Sequence, residues 1–124
     1  MSLDIGSAFV YKHLYIIISY PFDIPEKIIA VNITTWRNAA IELNDASCIA
    51  NIDDHNFIKE KSYIYYRKTI RPYIKDWQKA VNQGLIIPDE KCSENFLNKI
   101  LEGAGKSQFI PLWAIQVLQQ QKLI

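Results

Sequence analysis

The periodicity of the apolar residues changes at Arg71-Pro72, and that change constrains the fold more than any other feature of the chain. Before it, from Ala8 to Thr69, Ile, Val, Tyr and Thr gather in short runs broken by turn residues, which is the pattern of strands. After it, Tyr73, Trp77, Ala80 and Val81 recur at spacings of three and four, the signature of an amphipathic helix. The chain therefore reads as α+β and as a single domain over residues 1–124, with a β half over 1–70 and a helical half over 71–124 packed on it.

Within the first half, the run from His13 to Tyr20 ends at Pro21, because proline offers no amide proton to a ladder. A second strand over Lys27 to Trp36 puts Ile29, Val31 and Ile33 on one face and Ala30, Asn32, Thr34 and Trp36 on the other. A third is expected over Ser47 to Ile52, then a turn at Asp53-Asp54-His55-Asn56, then a fourth from Ser62 to Thr69. Such short strands predict a small, strongly bent barrel or an open sheet covered by helices.

In the second half, Pro72 suits a first helical turn and Gly84 a stop. Leu85 to Asp89 reads as a connector. Ser93 is an N-cap for a second helix through Phe96, Leu97, Ile100 and Leu101, stopping at Gly103 or Gly105. Pro111 opens a third, with Leu112, Trp113, Ile115, Val117 and Leu118 as candidates for burial.

Fourteen Lys and Arg against thirteen Asp and Glu leave a formal charge of +1, so any nucleic-acid site must be a local patch. The apolar runs are far shorter than the roughly 20 residues of a membrane helix. Without a basic, then apolar, secretory leader, the expected location is cytoplasmic. Cys48 and Cys92 lack the spacing of zinc ligands and are expected as free, core-packed thiols. Gly103-Ala104-Gly105-Lys106-Ser107 ends like a phosphate loop but follows a helix instead of a strand, and it reads as a helix terminus. No metal or other cofactor is expected.

Taken together, Ile5-Gly6-Ser7-Ala8-Phe9-Val10, Lys12-His13-Leu14-Tyr15-Ile16-Ile17-Ile18 and Ile28-Ile29-Ala30-Val31-Asn32-Ile33-Thr34-Thr35 resemble the opening strands of the MazF/Kid (PemK) toxin family. Ser62-Tyr63-Ile64-Tyr65-Tyr66-Arg67 resembles a later strand, and the likeness covers about residues 5–70. The resemblance implies an SH3-like barrel, a homodimer, metal-independent endoribonuclease activity on single-stranded RNA, and an antitoxin partner. It places His13 and Thr34 at the scissile phosphate, where the family's usual basic residue is arginine.

The residues themselves fit that chemistry. Metal-free RNA cleavage needs a base for the 2′-hydroxyl, an acid for the leaving oxygen, and donors for phosphate charge. An imidazole changes charge near neutral pH, so His13 can serve as either acid or base. Thr34 can donate to phosphate, and Lys12 and Arg37 can neutralise it. Lys61, Tyr63, Tyr65 and Arg67 interleave cations with aromatics, as single-stranded nucleic-acid surfaces do. The competing reading is a non-catalytic module that binds a protein or nucleic-acid partner.

Overall fold

A computed structural model describes residues 3–38 and 44–124. Six strands form one antiparallel sheet: β1 Ala8–Tyr11, β2 His13–Ile17, β3 Ala30–Thr35, β4 Ile49–Ala50, β5 Ser62–Ile64 and β6 Ile87–Asp89. Three helices accompany it, α1 Ile74–Asn82, α2 Glu94–Lys106 and α3 Leu112–Gln120. The strand order is β4-β5-β3-β2-β1-β6. The sheet is not closed, since β4 and β6 end it without pairing to each other, so a closed barrel is not formed.

The helices sort by sheet face, and strand alternation decides which face each side chain serves. Leu14 and Ile16 of β2, with Ile29, Val31 and Ile33, pack against Phe96, Ile100 and Leu101 of α2 and Ala114 and Leu118 of α3. Ile17, Ala30 and Phe9 instead meet Trp77 of α1, which also stands edge-on to Phe9 and Tyr15. With both faces of the central strands covered, their sequences are apolar on both sides, which explains the near-continuous run Ile16-Ile17-Ile18.

Several boundaries move from their sequence-based positions. The fourth strand stops at Ile64, and Tyr66–Lys68 form a 3-10 turn. Thr69 holds that turn by donating its hydroxyl to the Tyr66 carbonyl at 2.6 Å, while Tyr66 inserts into the core. The expected connector Leu85 to Asp89 contains β6, which pairs with β1 as an edge strand where Pro88 needs no amide proton. The helical half thus contributes to the sheet. Gly84 ends α1 at φ +75°, as expected, and Ser93 caps α2 by accepting the Phe96 amide at 3.1 Å. Gly103 does not stop α2, which runs on to Lys106. In α3, Leu118 is buried as expected and Ala114 is buried beside it, while Leu112 is exposed.

Both cysteines are free and buried. Burial pushes each thiol from its usual value of 9.0 up to about 11, because a thiolate is poorly solvated there. The stabilisation linked to the two neutral thiols is fully present below pH 9.0 and is lost as the pH rises through about 11, since only the unfolded chain ionises readily in that window. Denaturant midpoints are expected to fall over this range. A Cys48→Ala, Cys92→Ala variant that declined just as steeply would point to other groups. Among the described residues, no helix is long and apolar enough to cross a membrane.

Candidate functional site

β1 and β2 are joined by one residue, because Tyr11 pairs with His13. Lys12 at the apex adopts φ +65°, a left-handed conformation that costs a lysine about 1–2 kcal/mol. The β2–β3 register pairs Tyr15 with Asn32, so carrying it two residues further brings His13 level with Thr34. The tight turn and the ends of β2 and β3 therefore converge at one end of the sheet.

A cleft of about 280 Å³ opens there, lined on the strand side by Lys12, His13, Thr34, Thr35, Arg37 and Ser62. The segment Phe57 to Glu60 supplies the rest of the wall. That volume is slightly below the range of sites for drug-sized ligands. Three cations, Lys12, Arg37 and Lys59, face one carboxylate, Glu60, giving the lining a formal charge of +2 (3 − 1). None of the four takes part in an ion pair among the described residues. Two side-chain hydroxyls, on Thr34 and Thr35, add donors for anionic oxygens, while Ser62 is buried and donates its hydroxyl to the Glu60 carbonyl at 2.9 Å. The Asn44 side-chain amide donates to the Arg37 carbonyl at 2.9 Å.

Four of the residues singled out in the sequence, Lys12, His13, Thr34 and Arg37, thus line a single cleft. The other four do not line it. Tyr63 is buried edge-on between Trp36 and Tyr65, and Lys61 lays its ammonium 4.2 Å above the Trp36 ring. Arg67 stacks its guanidinium 4.2 Å above Phe109, and Arg71 repeats the arrangement over Trp113 at 4.4 Å. Each pair seats a cation on an aromatic ring, and none of these residues lines the cleft. Burial raises the ionisation of the Tyr63 phenol above its usual range, so it stays a neutral ring at physiological pH.

Sequence reasoning missed Thr35, Ser62 and Glu60. Thr35 and Ser62 pair with each other across β3 and β5, so their presence followed from a register the sequence did not reveal. Asp53, Asp54 and His55 do not form a metal site. Asp54 accepts the Asn51 amide at 2.7 Å within a turn and the Lys99 ammonium at 2.9 Å. No cluster of metal-ligating side chains occurs among the described residues. No protein-family model, curated protein or solved structure matches the chain.

Proposed function

We propose that the cleft binds the backbone of single-stranded RNA and cuts it without a metal, in the manner of the MazF/Kid toxins. The convergence of Lys12, His13, Thr34 and Arg37 on one cationic cleft carries this reading, because the chain could have scattered them over the surface. On this reading the open sheet is a relative of the SH3-like barrel, with β6 and the helices added at its edge. The reading also entails a homodimer and an antitoxin partner.

The chemistry needs two proton carriers, and the cleft lining supplies His13 and Glu60 as candidates. One takes the proton of the 2′-hydroxyl as its oxygen bonds to phosphorus. The other protonates the 5′-oxygen as the phosphorus–oxygen bond breaks, leaving a 2′,3′-cyclic phosphate and a 5′-hydroxyl. Lys12, Arg37 and the Thr34 hydroxyl offset the charge that builds on the phosphate oxygens. Half-buried Trp36 and Tyr65, with exposed Lys61 over the Trp36 ring, offer ring faces and charge to neighbouring nucleotides, which favours single strands over a duplex.

Expression of the wild type is expected to fragment total RNA, and a His13→Ala, Thr34→Ala double variant to slow cleavage by about 10²-fold or more. Intact RNA at high wild-type expression would remove the nuclease reading. Retention of an oligonucleotide by that same inactive protein would leave a nucleic-acid-binding module instead.

A further inference from the structure

We infer that His55, which does not line the cleft, is a positioning residue that sets the cleft wall through one specific ring nitrogen. His55 is 3% exposed and lies two residues before the wall. The Phe57 amide donates to its Nδ1 at 3.0 Å, and its Nε2 lies 2.6 Å from the Glu90 carbonyl oxygen. A carbonyl can only accept and an amide N–H can only donate, so Nε2 carries the proton and Nδ1 is the acceptor. The two partners together fix a neutral imidazole in one tautomer.

The two bonds do different things. The one to Glu90 ties the loop to the chain just beyond β6, where the Asn56 side chain also donates to the Glu90 carboxylate. The one from Phe57 fixes the direction in which the backbone leaves His55 toward Phe57, Ile58, Lys59 and Glu60. The Ile58 amide returns to the His55 carbonyl at 3.0 Å, and the Lys59 ammonium reaches back to the Asn56 carbonyl at 2.7 Å. The position of the Lys59 charge and the Glu60 carboxylate therefore depends on the acceptor at Nδ1. Its consequence for binding rests on the reading of the cleft as a phosphate site.

Two substitutions separate the bonds. Asparagine presents an acceptor near the place of Nδ1 but cannot span to Glu90, whereas glutamine reaches Glu90 with a donor but leaves the Phe57 amide without its acceptor. Both His55→Asn and His55→Gln are expected to lower the melting temperature by similar amounts. In the amide NMR spectrum, only His55→Gln is expected to shift the signals of Phe57 to Glu60. For a short fluorescent single-stranded RNA, His55→Asn is expected to bind within about twofold of wild type and His55→Gln about tenfold more weakly, the scale of one lost hydrogen bond. Equal shifts of the wall signals in both variants would overturn the inference, as would affinities that simply follow the melting temperatures. Failure of the wild type to bind RNA would instead remove the phosphate-site reading, while the NMR comparison still decides the role of His55.

Discussion

Alanine at Gly103 is expected to cost about 3 kcal/mol or more and to lower the melting temperature by about 10 °C. A Cβ at this position would lie 2.5 Å from the Tyr66 hydroxyl oxygen, 2.7 Å from the Cys48 Cβ and 2.8 Å from the Ser47 carbonyl oxygen. Two of those three atoms are held by the backbone, so they cannot turn aside as the end of a flexible side chain could. The third also has no freedom to yield. Tyr66 is fully buried and donates its hydroxyl to the Ile100 carbonyl at 2.6 Å, so pushing it away breaks a buried hydrogen bond as well. Helix α2 lies this close to the β4 region because Gly103 has no side chain there.

The neighbouring glycine supplies the control. A Cβ at Gly105 meets nothing within 4 Å, so Gly105→Ala is expected to be neutral or to stabilise by up to about 1 kcal/mol through helix propensity. Thermal denaturation of the two variants side by side checks both. A Gly103→Ala protein as stable as wild type would show that α2 can retreat from the sheet. Equal losses at both positions would show that chain flexibility matters there instead of close packing.

The same glycine illustrates how much of the fold the sequence discloses. Local chemistry was readable: the alternation of Ile29, Val31 and Ile33, the cap at Ser93 and the stop at Gly84 all depend on neighbours within a few residues. Features set by distant partners were not. Gly103 looks like a stop because its reason for being glycine, the Tyr66 hydroxyl, lies far away in sequence. β6 looks like a connector because its ladder is completed only by the free edge of β1. The strand from Ser62 appears to continue to Thr69 because nothing local announces that Tyr66 turns into the core.

The cleft divides along the same line. His13 and Thr34 were singled out by the resemblance, and Lys12 and Arg37 as cations close to them in sequence; all four line the cleft. Their convergence needed the β2–β3 register. The wall segment Phe57 to Glu60 follows a loop tethered by the contact between His55 and Glu90, 35 residues apart, and no periodicity encodes that contact.

Charge provides the sharpest test of where nucleic acid binds. If Lys12, Arg37 and Lys59 each neutralise one phosphate, binding of single-stranded RNA should release about three counterions and give a slope near −2 in a plot of log affinity against log salt, taking about 0.7 per contact. Between 50 and 200 mM salt the affinity should then fall by about 20-fold. Removing any one of the three as alanine is expected to reduce the slope by about 0.7, and Arg37→Glu to weaken binding by about 100-fold at low salt by placing a second carboxylate beside Glu60. Fluorescence anisotropy with a short labelled RNA measures all of these. The cation and ring pairs outside the cleft make the opposite forecast distinguishable, because the charges of Lys61 and Arg67 are already seated on the rings of Trp36 and Phe109. Should Lys61→Ala and Arg67→Ala flatten the slope while Arg37→Ala leaves it unchanged, the nucleic acid runs over those pairs and the cleft is not its binding site. A slope near zero for the wild type would mean that phosphate contacts contribute little, and the cationic cleft would then lose its assignment to nucleic acid altogether.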